Sequence, residues 1–293
     1  YSTSSIAVNT TVSGQVSITP TLSSTTQTSD ADFSAWSKSS NVYVPTGGNK
    51  ITLLKPDGAS CTTGTQCSSG ICTGNLCVPP PCAYATSLVY SGETYPLKEL
   101  GTQCWFAKNL NVGTMLAAGT TMPSNNSLIE KWCYGNNSFN CTVWYGALYT
   151  WAEANQFDPG CNTSSCTASS TPNQGICPSG WHIPTDAEFK TLESYLGMCA
   201  GAGIGCVDAI GERGGGIGTK LKSGGSSGFN LLLGGYRSTA GDFSWNNYYG
   251  KLWSASQYDA SQGWYRSVDS SQDKVYRNGV NKVFGHSVRC LKN

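Results

Sequence analysis

Fourteen cysteines in 293 residues constrain this chain more than any other feature. Their number is even, many stand close together, and only two histidines accompany them. That pattern points to disulfides made in an oxidising compartment. Zinc is the competing use of clustered cysteines, and it favours thiolates two residues apart, often completed by histidine. Cys61, Cys67, Cys72 and Cys77 are instead separated by five or four residues, with no histidine near them. No metal and no other cofactor is expected. Proximity suggests the pairs Cys133–Cys141, Cys161–Cys166 and Cys199–Cys206, an interleaved Cys61–Cys72 and Cys67–Cys77, and Cys82–Cys104. Cys177 and Cys290 are then left to each other, and closing so long a loop is worth roughly 4–5 kcal/mol in the chain-entropy model. Spacing ranks these pairs but does not determine connectivity.

The charge pattern excludes whole classes of partner. Charged residues are 12% of the chain, against about 25% in an ordinary soluble protein. The net charge is +1, with acids and bases interspersed, which argues against nucleic acid and against an anionic membrane surface. No run approaches the roughly 18–20 apolar residues of a membrane span. With no signal peptide in view, the sequence reads as a mature, processed and secreted chain.

Three regions differ in composition. Residues 1–54 carry no cysteine. Between residues 6 and 18, Ile6, Val8, Val12, Val16 and Ile18 fall on even positions and polar residues fill most odd ones, the period-two signature of a half-buried strand. Taken as one strand it would reach about 40 Å, and a long, weakly charged edge seeks a partner. It is read either as the edge of a small N-terminal sheet completed by residues 42–44 and 51–54, or as an arm added to a neighbouring subunit's sheet. Residues 55–82 are too few to bury a core, so cross-links must hold them. Pro79, Pro80 and Pro81 close this segment and favour an extended spacer. Residues 83–293 mix element types. Thr185-x-x-Glu188 is a capping box, followed by Phe189, Leu192 and Leu196 at helical spacing and a stop at Gly197, predicting a helix over 186–196. A second helix is expected near 145–155. Strands are expected at 230–233, 251–257, 263–269, 274–277 and 286–291, with Asn278-Gly279 as a hairpin turn. Helices first and an antiparallel meander after them make an α+β domain.

Catalytic constellations are missing. With every cysteine committed to a bridge, no thiolate nucleophile remains. His182 and His286 belong to no G-x-S-x-G elbow and no H-E-x-x-H helix. Asp186 and Glu188 are explained by helix capping, and residues 211–218, though glycine-rich, lack the GK[ST] of a phosphate loop and read as a mobile loop. Recognition chemistry is enriched instead. Tyr236, Arg237, Trp245, Asn246, Asn247, Tyr248, Tyr249, Tyr258, Tyr276, Arg277 and Asn278 combine large rigid rings with adaptable amides and guanidinium groups. About half of the aromatic rings in this stretch belong to the core on this reading, and the rest to a binding surface.

Six ordered motifs carry a resemblance. They are Gly101-Thr-Gln-Cys-Trp-Phe-Ala-Lys-Asn-Leu110, Tyr145-Gly-Ala-Leu-Tyr-Thr-Trp151, Ile176-Cys-Pro-Ser-Gly-Trp-His-Ile-Pro-Thr185, Gly234-Gly-Tyr-Arg237, Leu252-Trp-Ser254 and Ser287-Val-Arg-Cys290. Together, over residues 84–293, they resemble the Fibrobacter succinogenes major paralogous domain, a secreted bacterial module. The resemblance implies a C-type-lectin-like fold with two helices and an antiparallel sheet, related to the formylglycine-generating enzyme. The catalytic relatives use a reactive cysteine pair near the C-terminus, whereas here only Cys290 lies beyond Cys206. Calcium-binding lectins carry Trp-Asn-Asp where this chain has Trp245-Asn246-Asn247. The fold is therefore expected without the oxidase or calcium chemistry. The sequence reads as an extracellular, non-enzymatic adhesion or ligand-binding protein, displayed on a filament or joined to copies of itself through its N-terminal arm. Its ligand is expected to be a surface glycan or protein. The alternative is a pilin-like repeating subunit in which ligand binding is secondary.

Overall fold

The computed structural model describes residues 54–117, 119–120, 128–168, 171–199 and 206–293, and the backbone of four short strands before them. The chain divides into two compact units, Tyr1–Tyr84 and Ala85–Asn293. All fourteen cysteines are oxidised and none is free, which fits an extracellular protein. Among the described residues no helix is long and apolar enough to cross a membrane.

In the first unit, β1 (Val8–Thr10), β2 (Val16–Ile18), β3 (Tyr43–Pro45) and β4 (Ile51–Leu53) form an antiparallel sheet in that order. Val8 faces Ile18 and Thr10 faces Val16. The single long strand is thus corrected. Val8 lies in β1 and Val16 and Ile18 in β2, two antiparallel strands, while Ile6 and Val12 fall outside the described residues. Alternation by itself does not register a chain reversal. Next come β5 (Cys72–Thr73) and β6 (Leu76–Cys77), an antiparallel pair. Cys61–Cys72 and Cys67–Cys77 interleave across them. Sulfur atoms of Cys61, Cys67 and Cys72 lie within 4.8 Å of one another, close enough for a metal, but each is tied up in a disulfide. Cys61, Cys67 and Cys77 form its buried cluster with Cys72 packed against them, so its cross-links are its core. The proline run ends in a turn rather than continuing extended, with the Ala83 amide donating to the Pro80 carbonyl at 2.7 Å.

The second unit opens with β7 (Ser87–Tyr90), β8 (Glu93–Leu100) and β9 (Gln103–Phe106). The short strands β10 (Thr114–Met115) and β11 (Glu130–Lys131) pair in parallel. Helix α1 (Trp151–Asn155), strand β12 (Trp181–His182), helix α2 (Asp186–Tyr195), strand β13 (Gly211–Arg213) and helix α3 (Ile217–Leu221) follow. Then come β14 (Gly234–Arg237), β15 (Phe243–Asn246), β16 (Tyr249–Gln257), β17 (Gln262–Asp269), β18 (Val275–Asn281) and β19 (Leu291–Lys292). Two sheets result, one of order β12-β19-β9-β8-β7 and one of order β13-β18-β17-β16-β14-β15. The unit is α+β. Its first and last strands share a sheet, where Leu291 faces Trp105, and Cys177–Cys290 fastens that closure. Cys133–Cys141, Cys161–Cys166 and Cys199–Cys206 close local loops. Cys82 and Cys104 are each disulfide-bonded as well.

Helix α2 forms where the capping box predicts it. The Thr185 hydroxyl accepts from the Glu188 amide, and the Glu188 carboxylate accepts from the Thr185 amide at 2.8 Å. Phe189, Leu192 and Leu196 enter a core with Trp105, Leu252, Val268 and Val275. Four expectations are corrected. The helix expected near 145–155 is only α1; residues 140–145 form a π-helical turn, and Leu148 and Tyr149 instead bridge to Trp132 and His286. Residues 230–233 form no strand. Asn278 and Gly279 lie inside β18, facing Tyr265 and Trp264. Gly279 is needed for close packing, since a Cβ there would lie 2.5 Å from Cγ of Tyr258. The true turns are closed by Asp259 and Asp269, whose Oδ1 atoms accept from the amides of Ser261 and Gln262 and of Ser271 and Gln272. Residues 211–218 are no mobile loop but supply β13 and the start of α3.

Strand alternation gives the larger sheet two chemically distinct faces. Leu252, Arg266, Val268, Val275 and Arg277 point toward α2, where a buried ion network clamps the helix. Asp186 meets Arg266 and Arg277, each at 2.7 Å, and Glu193 meets Arg266 at 2.7 Å and Arg213 at 2.8 Å. Burial alone would raise the Asp186 carboxyl, but the hydrogen bonds and charges of Arg277 and Arg266 outweigh it and hold the group below its ordinary value. Asp186 is therefore not the capping carboxylate; Glu188 is. Asp186→Ala strands two buried guanidinium groups and should cost about 3–5 kcal/mol in chemical denaturation. Because the folded pKa is depressed, the carboxylate's contribution is full above the ordinary range and lost below it. The gap between mutant and wild type should therefore narrow as pH falls below about 4.

Candidate recognition surface

The opposite face of the sheet carries Tyr249, Lys251, Tyr265, Tyr276 and Asn278, and adjoining it is the turn between β15 and β16. Trp245, one residue before the end of that turn's first strand, has φ of +63° and is 55% exposed. A bulky residue in the left-handed region is a strained exception that marks a site worth attention. The strain is tolerated because Gly235 crosses it on β14, itself at φ +65°. A Cβ on Gly235 would lie 2.3 Å from the Ser244 carbonyl oxygen. The paired glycines of Gly234-Gly235-Tyr236-Arg237 thus explain how the tryptophan is presented.

Trp245 does not stand alone. Its ring lies 5.4 Å from Tyr248 and 5.8 Å from Tyr249, and those two rings are 4.7 Å apart. Asn247 accepts from the Tyr145 hydroxyl at 2.9 Å, and the Asn246 amide donates weakly to the same oxygen. Tyr145 ends the π-helical turn; its Val143 and Trp144, and Phe139 just before it, are all half or more exposed, with the rings of Phe139 and Trp144 edge to face at 6.4 Å. Composition alone overlooked these three residues. Their signal was three large apolar side chains in a stretch too short and polar to be core.

Past Tyr249 three tyrosine rings form a bowl around Lys251. Its ammonium lies 3.9 Å from the ring centre of Tyr236, 5.3 Å from Tyr249 and 5.5 Å from Tyr265. Phe284 and His286 pack behind Tyr236. Tyr276 sits beside Tyr265, its hydroxyl accepting from the Asn278 amide. The structure therefore gathers Tyr236, Trp245, Asn246, Asn247, Tyr248, Tyr249, Tyr276 and Asn278 on one side of the molecule.

Three expected ligand residues lie elsewhere. Arg277 is buried in the Asp186 network with its guanidinium 3.7 Å over Trp264. Arg237 is buried 4.0 Å over Trp132. Tyr258 is exposed but stacks on Trp264 at the far face. For the two arginines the strand's alternation, not the residue type, decides the side.

Among the described residues neither histidine is hydrogen-bonded to a hydroxyl or a thiol. His182 is buried, with Nδ1 2.6 Å from Asn293 and Nε2 2.9 Å from Glu188. Burial pulls its pKa down, but the bonds to Glu188 and Asn293 prevail and the net shift is upward. His286 packs against Trp253 at 4.4 Å, and burial together with the charge of Lys251 pushes its pKa well down.

The model for the Fibrobacter succinogenes major domain matches residues 99–292, and the chain belongs to that family. No curated protein matches the chain, and no solved structure does.

Gly235→Ala should force the β14–β15 crossing apart. The expected outcome is a loss of about 1–3 kcal/mol together with a changed near-ultraviolet circular dichroism spectrum, as Trp245 leaves its contacts with Tyr248 and Tyr249. An unchanged spectrum would show that the crossing does not hold the tryptophan.

Proposed function

We propose that the second unit is a non-enzymatic, extracellular recognition module with a C-type-lectin-like fold. It binds a surface glycan or protein through the aromatic side of its larger sheet. The observation that carries this reading is Trp245, exposed and held in a strained backbone conformation by a glycine. Folding alone gains nothing from displaying a strained tryptophan to solvent, whereas a ligand ring or apolar face does. Tyr248 and Tyr249 rigidify it, and Asn246 and Asn247 offer directional hydrogen bonds beside it. The mixed α+β architecture and the family membership support the lectin-like fold. Oxidation of every cysteine, and the bonds of His182 to Asn293 and Glu188, support a role without catalysis.

The full chain should be retained on some member of a panel of immobilised polysaccharides and extracellular-matrix proteins. Trp245→Ala combined with Tyr248→Ala should weaken that retention at least tenfold without changing the melting temperature by more than a few degrees. Equal retention of wild type and double mutant on every positive surface would sink the proposal.

Assembly of the chain with copies of itself is the second reading, supported by the first unit's sheet, in which β1 is an edge strand. Removing residues 1–19 should then shift the oligomeric state measured by sedimentation. If truncated and full chains sediment as the same species, the filament reading fails.

A further inference from the structure

The cation at the centre of the aromatic bowl is unusual within this molecule. Other buried cations are matched by acceptors. Lys282 also lies over an aromatic ring, 4.3 Å from Trp151, yet its ammonium donates to Ser164, Gln257 and Ala260. Lys222 donates to the carbonyls of Asp269 and Gln272. Arg213, Arg266 and Arg277 meet carboxylates. Lys251 has three tyrosine rings around it and neither a carboxylate nor a hydrogen-bond acceptor among the described residues. The ring faces stabilise an ammonium only in part, so a half-buried charge is left without its counter-charge.

We propose that this bowl is a subsite for a carboxylate-bearing sugar residue. The Lys251 ammonium neutralises the carboxylate, and the tyrosine rings pack on the sugar's C–H face. This inference rests on the recognition reading above and names its ligand class. A compact ligand fits better than a peptide strand. The bowl lies over β16, β17 and β18, interior strands of the sheet whose backbone groups are committed to their neighbours, so no strand can be added there.

The site carries its own pH signature. Burial pulls the Lys251 ammonium down to about 8. The groups that face it are Tyr236 on β14, Tyr249 on β16, Tyr265 on β17 with Tyr276 beside it on β18, and the largely neutral His286. Burial pushes Tyr249 and Tyr265 upward, and Asp269 and Glu212 act on Tyr249 from outside the bowl. An anion held by the ammonium is therefore lost as pH rises through about 8, and an arginine in its place, charged throughout, abolishes that loss.

The test compares a glucuronate-terminated oligosaccharide, its glucose-terminated counterpart and an aspartate-rich peptide. Each is titrated calorimetrically into the full chain at pH 6.5 and pH 9.5. The expected result is at least tenfold tighter binding of the acidic sugar at pH 6.5, with the preference gone at pH 9.5 and gone in Lys251→Met. Lys251→Arg should keep it at both pH values. Lys251→Met should also raise the melting temperature, because it removes an uncompensated cation. A fall in melting temperature, with the sugar preference intact, would assign Lys251 a structural role and overturn the proposal. So would equal binding of the two sugars that Trp245→Ala still weakens, a result that leaves the recognition surface standing. Binding of the peptide alone overturns the sugar subsite, and binding of no ligand here or on the wider panel overturns both readings.

Discussion

Arg289 is the joint on which the second unit turns. It is fully buried and meets no carboxylate among the described residues. Its guanidinium donates to the carbonyls of Phe106, Phe229 and Asn230 and to the side chain of Asn109, all between 2.6 and 2.8 Å. Asn109 in turn donates to the Tyr145 carbonyl. One side chain near the C-terminus thus satisfies backbone groups from the end of β9, from the segment after α3 and, through Asn109, from the stretch leading to α1. Burial pulls its pKa down to about 9, the cost of placing a charge where only dipoles answer it. The arrangement explains why widely separated motifs occur together. Cys-Trp-Phe-Ala-Lys-Asn, Tyr-Gly-Ala-Leu and Ser-Val-Arg-Cys are three sides of one hydrogen-bonded knot.

Much of this was legible in the residues, and the remainder shows where local pattern runs out. The capping box located α2 because its signal is complete within four residues. The short cystine loops could be paired because proximity limits their choices. By contrast, Asn278-Gly279 carries a strong turn signal, yet it lies mid-strand because Tyr258 needs a neighbour without a side chain. The alternation between residues 6 and 18 covers two antiparallel strands, β1 and β2, because period two reads the same in either direction. For the aromatic residues singled out as binding candidates, composition marked a segment but could not assign faces. Arg277 and Tyr276 are adjacent, and the pleat sends one to the helix and the other to the bowl.

That division of faces links packing to function. One side of the larger sheet is spent on α2, with two acids and three arginines locked in place. The rigidity it supplies fixes β16, β17 and β18 in register. The other side can then carry features that cost stability: a tryptophan in a strained conformation and an ammonium without a counter-ion. Such features persist only where the surrounding structure over-determines them. The ion network and the exposed aromatic surface are two ends of one energetic arrangement, and weakening the first should blur the second.

The bridge from Cys177 to Cys290 spans 113 residues and encloses every strand from β12 to β18. Beyond its effect on folding, it changes what a protease can accomplish. A cut at an exposed turn, such as the one capped by Asp259, breaks the backbone without freeing a fragment, because both new ends stay tied through the same pair of sulfurs. Outside the cell, where hydrolytic enzymes are abundant and resynthesis is remote, a nicked copy could keep its sheet and its aromatic surface. Damage of this kind would show on a gel only after reduction.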